Sequence, residues 1–320
     1  MEFLKKISPY LHVLRIKNLG IITFTMLLLQ YMVIGPIVEK ELVLSPFLFF
    51  IFLIITLIIA GAGYLINDIK DHSIDVVNKP KKSYIPHQIS FNNARLYYIL
   101  LVTSGAILSI YIALTTKNLI NLWIYPLVTF LLYMYAQKWK STVLLGNIVV
   151  SLFVAFVWGI LFYVQYSLRI FENTFFLAEN DMVIGELLFS YFFFSFFINL
   201  SREIVKDIED IEGDQLRGIK TYPIVKGVNL SKKLVFIILI LLSILIGLWL
   251  TFSNITTAFE VRAYYIIFVW SPIVFILTKL VPAKLKKDFA YISKLHKWIM
   301  VFALFGMLIL TKTILSGQHG

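Results

Sequence analysis

Nine apolar stretches, each close to the roughly 20 residues a helix needs to cross a bilayer, run the length of the chain. They fall near residues 18–38, 43–66, 96–115, 119–137, 143–165, 183–201, 233–253, 262–281 and 298–316. A backbone in lipid must satisfy its own hydrogen bonds, so runs of this length and number predict a bundle of spanning helices. Only 15% of the 320 residues are charged against 59% hydrophobic, which leaves no stretch with the balance of a separate soluble domain. The expectation is an all-α integral membrane protein in which residues 1–320 form a single polytopic domain. The opening MEFLKKISPYLHVLRIKNLG carries basic residues but no small-residue cleavage site. Residues 1–17 therefore read as a retained amphipathic segment on the membrane surface. Pro126 and Pro272 lie inside apolar stretches and are expected to kink them.

Charge placement orients the bundle. With nine spans, 24 of the 29 lysines and arginines collect on the side that holds the N-terminus, and 5 on the other. The positive-inside rule then puts the N-terminus in the cytoplasm, in a multi-pass protein of the cell (inner) membrane. The net charge of +11 is thus explained by topology and contact with membrane lipids, and nucleic acid is not expected as a partner. Absence of cysteine excludes thiolate catalysis, zinc–sulfur and iron–sulfur sites. The five histidines are scattered without a His-x-x-x-His pair, which argues against a histidine metal site.

Six of the eight aspartates fall into two copies of Asp-x-x-Asp-x-x-x-Asp: Asp68, Asp71 and Asp75 in YLINDIKDHSID, and Asp207, Asp210 and Asp214 in REIVKDIEDIEGD. Chance predicts roughly 0.005 such spacings in a chain of this composition. On a helix these offsets place three carboxylates within about 60° of one another. Bare carboxylates so arranged repel, and the pattern makes sense when divalent cations and a phosphorylated ligand neutralise it. Oxygen-only donors select a hard ion, foremost Mg2+, whose shell the ligand's phosphates complete. Both motifs end an even-numbered span on the cytoplasmic side, in segments 67–95 and 202–232 that read as loops, and their repetition points to a weak internal repeat. Gly61-Ala62-Gly63, just before the first motif, would let neighbouring helices approach closely.

Cations are interleaved with these acids. Asn67, Asn78, Lys79, Lys81 and Lys82 surround the first motif; Arg202, Lys206, Arg217 and Lys220 surround the second; Tyr135 and Lys140 lie between them in YAQKWK. Metal-holding carboxylates beside phosphate-holding cations are what a diphosphate at a membrane boundary requires. Many of the basic residues simply fix topology, and His72 points away from the carboxylate face. The aromatic load is mostly packing or lipid-facing surface, although Tyr191 to Phe197 could line an isoprenoid pocket.

At these residues the chain resembles the UbiA superfamily of intramembrane prenyltransferases. The likeness runs over nearly the whole length: helix count, an Asn-Asp-x-x-Asp-x-x-x-Asp first motif, a Tyr/Lys element, and a second aspartate motif. It implies nine transmembrane helices around a central cavity, with both motifs binding Mg2+ and a prenyl diphosphate donor. Carried over by position, Asn67, Asp68, Asp71, Asp75, Asp207, Asp210 and Asp214 hold metal. Arg15, Asn18, Asn67, Lys79, Lys82, Arg202, Lys206 and Lys220 bind diphosphate. Asp71, Asp75, Asp210, Asp214, Tyr135 and Lys140 act in catalysis. REIVKDIEDIEGD followed by GIKTYPI is similar to the second motif of digeranylgeranylglyceryl phosphate synthases, a subfamily that prenylates the hydroxyl of a prenylglyceryl phosphate. KPKKSYIPHQIS departs from the proline-rich stretch frequent after the first motif, and the lysine-rich segment before the last span is extended.

Three activities fit these residues. Prenyl transfer to a lipid hydroxyl leads; transfer to an aromatic quinone precursor would use the same donor site; an ion-coupled transporter would place its acids at the bilayer midplane instead. Asp71→Ala or Asp210→Ala should abolish turnover of an allylic diphosphate while leaving membrane insertion intact. Near-normal turnover in either variant would contradict its assigned role.

Overall fold

The computed structural model describes residues 2–38, 44–78, 84–119, 121–171, 179–216 and 218–318, without the side chains of 2–7, 38, 72–78, 165–171, 179–180 and 317–318. Among the described residues every regular element is helical. Eight of the described helical runs are long and apolar enough to span a membrane: Ile16–Ile37, Pro46–Asp71, Phe91–Thr115, Leu145–Val164, Asp181–Glu209, Val228–Phe252, Phe259–Leu280 and Lys286–Ser316. The ninth expected span, 119–137, forms a helix of only 17 residues, Asn121–Gln137 with Pro126 inside it. At 1.5 Å per residue that is about 26 Å, short of a roughly 30 Å hydrocarbon core.

Contacts divide the chain into two compact units, Met1–Met26 with Val43–Lys140, and Leu27–Leu42 with Ser141–Gly320. In the first unit, α1 (Glu2–Val13) leads into α2 (Ile16–Leu28), and α4 (Pro46–Asn78) packs against α5 (Phe91–Thr115) and α6 (Asn121–Gln137). No glycine or proline interrupts the sequence from Leu65 to Lys79, so α4 continues through the first aspartate motif. The expected loop at 67–78 is therefore helix. Leu65 and Ile69, one turn apart, hold this polar extension in a buried cluster with Val13, Ile85, Ile89 and Ala94. Gly61 and Gly63 permit close contact along α4: a Cβ at either would lie 3.1 Å from Leu14 or Leu132 respectively.

In the second unit α8 (Glu179–Glu209) is central, packing against α7 (Leu145–Phe171), α11 (Val228–Phe252) and α14 (Lys286–Gln318). The second motif is not on one unbroken helix. α8 stops at Glu209, Asp210 forms a turn, and α9 (Ile211–Leu216) carries Asp214, followed by α10 (Tyr222–Lys226). Gly213, a poor helix former inside the motif, and the positive φ of +66° at Gly218 mark a segment that cannot prolong α8 as α4 is prolonged. The first set therefore lies on one continuous helix, whereas the second crosses a one-residue turn at which Asp210 N–H still donates to the Lys206 carbonyl and Asp214 N–H to the Asp210 carbonyl; 202–232 is mostly helix rather than loop.

Prolines widen two spans. A π-helical stretch, Leu29–Ile34, joins α2 to α3 (Gly35–Val38), with Pro36 just beyond it; a second, Ile266–Trp270, joins α12 (Phe259–Tyr265) to α13 (Ser271–Leu280), with Pro272 just beyond. Gly35 donates to the Gln30 carbonyl and Ser271 to the Ile266 carbonyl, each five residues back. The wide turn absorbs the clash of a proline ring with the preceding turn, so the kink expected at Pro272 takes this form.

Gly63→Leu inserts a side chain where Leu132 already sits. Thermal unfolding should report about 1–3 kcal/mol of lost stability, and an unchanged midpoint would show that the helices have room to separate.

Candidate active site

In the first unit the polar end of α4 gathers partners from two other segments. Asp71 accepts from the Asn67 amide at 3.0 Å and pairs with the Lys140 ammonium, which also donates to Asn67 Oδ1 at 3.3 Å. The Lys140 and Asp71 side chains are 19% and 18% exposed, so most of their charge is held away from solvent. Lys140 reaches this position from the short 3-10 turn Trp139–Ser141 that ends α6.

Asp68 is reached from the other side. Arg15 Nη2 lies 3.3 Å from its Oδ1, and the guanidinium stands 4.7 Å from the Tyr64 ring centroid. Arg15 occupies the junction of α1 and α2 with φ of +53°, a left-handed conformation that costs an ordinary residue about 1–2 kcal/mol. The turn is closed by Asn18 N–H donating to the Arg15 carbonyl at 2.7 Å, and the Asn18 amide reaches the Tyr64 hydroxyl at 3.5 Å. Arg15, Asn18, Asn67, Asp68, Asp71 and Lys140 are thus brought together. Tyr135 lies part-buried on α6. The side chain of Asp75, and Lys79 and Lys82 entirely, lie outside the described residues, as do the His72 side chain, Lys81 and Arg217.

The second unit holds its own polar set. Asp207 accepts from the Asn147 amide at 2.8 Å; the Asn147 carbonyl accepts from Ser151 Oγ at 2.6 Å, and Ser151 Oγ accepts from the Asn199 amide at 3.3 Å. Arg202 pairs with Glu203 beside it, while its Nε is enclosed with no partner among the described residues. Asp210 and Asp214 are part-buried, and Lys206 and Lys220 are exposed. Ser201 Oγ donates to His296 Nε2 at 2.9 Å, with Nδ1–H of that ring donating to the Ile292 carbonyl at 2.8 Å. That pair is buried and closes α8 against α14. Tyr191, at the start of the aromatic run, is 4% exposed and bonds to the Tyr265 hydroxyl and the Ala303 carbonyl.

Sequence reasoning missed Asn147 and Tyr64. Asn147 and Ser151, four apart inside an apolar span, are a readable signal, because polar groups at membrane depth need partners. Tyr64 stands one turn before Asp68 on the same face of α4.

The donor set of both groups is oxygen-only, carboxylate and amide, which suits a hard cation. Among the described residues no three His, Asp or Glu side chains converge into a cage of their own. Mg2+ in general keeps waters and takes part of its shell from a phosphorylated ligand.

Acids, amides and cations paired at the ends of apolar helices are the groups that binding a polyanion at a membrane boundary requires. The chain belongs to the UbiA prenyltransferase family, which it matches over residues 28–298. It is 32% identical to the digeranylgeranylglyceryl phosphate synthase of Sulfurisphaera tokodaii over 280 residues, 86% of this chain and 88% of that one. It is 31% identical to the synthase of the same name from Methanosphaera stadtmanae over 300 residues, 92% and 96% of the two chains. Its fold is similar to a solved structure described as a digeranylgeranylglyceryl phosphate synthase in membranes, with a TM-score of 0.67, 23% identity and coverage of 96% and 99%. It is also similar to a UbiA homolog from Archaeoglobus fulgidus bound to GPP and Mg2+, with a TM-score of 0.55, 12% identity and coverage of 93% and 99%.

Removing one member of a shielded ion pair strands the other. Lys140→Met should cost about 3 kcal/mol, whereas Asp71→Asn/Lys140→Met should cost less than the lysine change alone. A double-mutant cycle on unfolding midpoints measures this coupling, and additive losses would mean that the pair is not a unit.

Proposed function

We propose that this prenyltransferase moves a prenyl group, of geranylgeranyl size, from its diphosphate to the free hydroxyl of a prenylglyceryl phosphate, with Mg2+ as cofactor. The observation that carries the proposal is the Asn67–Asp71–Lys140 cluster, an acid, an amide and an ammonium held together at the end of one apolar helix. Curated relatives over most of the chain bear the name of a synthase of this type, which supports the acceptor assignment.

Asn67, Asp68, Asp71 and Asp75 of the first set and Asp207, Asp210 and Asp214 of the second are assigned to cation binding. Arg15, Asn18, Lys79, Lys82, Lys140, Arg202, Lys206 and Lys220 are assigned to the diphosphate, with Tyr135 beside the reacting carbon. Bound Mg2+ would neutralise the diphosphate oxygens and so make the leaving group better. Lys140 and Arg15 each rest on a carboxylate, and a cation that takes over those carboxylates frees both for phosphate oxygens. The C1–O bond of the donor breaks with its electron pair on the diphosphate. The acceptor oxygen then bonds to C1, and its proton passes to the released diphosphate or a motif aspartate. Apolar helix surface around these polar ends keeps water from the allylic cation.

The same reading takes residues 1–320 as one catalytic domain, with α6 as a ninth, short span. The 24-to-5 division of basic residues supports a cytoplasmic N-terminus and a site facing the cytoplasm of the cell membrane.

Incubating the purified protein with labelled geranylgeranyl diphosphate and separate lipid and aromatic acceptors tests the proposal. The expected product is a doubly prenylated glyceryl phosphate that forms with Mg2+ and fails to form with a chelator. A prenylated ring as the only product would move the chain to the aromatic activity.

A further inference from the structure

An open groove of about 710 Å³ lies between α13 and α14 in the second unit, lined by Ser271, Pro272, Phe275, Leu295, Trp298 and Phe302. Its walls are almost wholly apolar and rich in rings, with Trp298 and Phe302 stacked at 6.0 Å. The π-helical stretch and Pro272 give this part of α13 its irregular start. A second depression, of about 360 Å³, lies one turn along the same two helices and is lined by Lys279, Lys287, Asp288 and Tyr291 among others. Lys279 links the two, its Nζ 5.0 Å from the centroid of the Phe275 ring.

The charged mouth is built rather than loose. Lys232 Nζ donates to the Val281 and Ala283 carbonyls at 2.6 and 2.9 Å. Asp288 Oδ2 accepts the Lys284 and Leu285 N–H groups at 3.0 and 2.9 Å. The acid at the mouth therefore reaches back from the first turn of α14 to the N–H groups just before the helix, and Lys284, Lys286 and Lys287 around it leave the mouth strongly positive. None of these residues is among those assigned to prenyl transfer.

We propose that this paired groove is a binding site for an anionic phospholipid of the surrounding bilayer. Its phosphate sits between Lys279 and Lys287, its glycerol lies near Tyr291, and one chain runs along Phe275, Trp298 and Phe302. Charge complementarity selects this occupant: cationic pockets between spanning helices take anionic headgroups. A second copy of the chain is disfavoured, because a self-complementary contact here would press lysine on lysine. A zwitterionic lipid would fill the slot but gain less at the mouth.

The test uses the full chain, delipidated in detergent and offered equal phosphatidylglycerol and phosphatidylcholine, with bound lipid read by native mass spectrometry. The wild type should retain phosphatidylglycerol preferentially, and Lys279→Ala/Lys287→Ala should weaken that retention about tenfold. Lys226→Ala/Lys233→Ala, with the same loss of net charge elsewhere, should leave it unchanged. Ser271→Trp, which fills the slot, should lower retention with both lysines in place. Prenyl-transfer turnover preserved in the lysine variants reports that they fold. Equal retention of the two lipids by the wild type, or an equal loss in the Lys226/Lys233 control, would overturn the proposal.

Discussion

Asp71 cannot stand at the end of a mostly apolar helix unless its charge is answered, and the first unit is arranged around that answer. Asn67, one turn earlier on α4, orients the carboxylate, and Lys140 at the end of α6 neutralises it. The same logic places Arg15 on Asp68 at the cost of a left-handed backbone. An ion pair with this little exposure gains little net stability over an apolar pair of the same size. In the function proposed, its value lies in holding a lysine and an acid where a cation and a phosphate would separate them.

The second unit meets the same constraint by a different route. Asp207 is answered by a neutral amide, Asn147, at the end of a buried chain of Ser151 and Asn199. One acid thus rests on an ammonium and the other on an amide, so the two sets differ in charge although their sequence spacing is the same. The break at Asp210 adds to the difference, because Asp214 rides on a short helix of its own.

Much of this was legible in the sequence. Hydropathy alone located the spans, since a bilayer leaves helices as the solution for runs of that length. At 119–137 hydropathy also located a helix, but apolar composition does not report that it is only 17 residues long with Pro126 inside it. Spacing located both acidic sets, and the first lies on a continuous helix as the offsets require. The second does not, since the offsets cannot reveal where α8 ends. Partner choice was the least legible: Asn147 lies 60 residues from Asp207, and Tyr64 reads as one more aromatic in an apolar span. The groove between α13 and α14 lies beside Pro272 and a π-helical turn; the proline is visible in the sequence, the shape of the groove is not.

The central claim is that Lys140 leaves Asp71 for the phosphate of an incoming ligand. Equilibrium binding of labelled geranylgeranyl diphosphate, with and without Mg2+, to the wild type and to folded Lys140→Met tests it most directly. The account predicts tight binding by the wild type only with Mg2+ and about a tenfold or greater loss in the variant. Equal affinity of the two proteins in Mg2+ would contradict it.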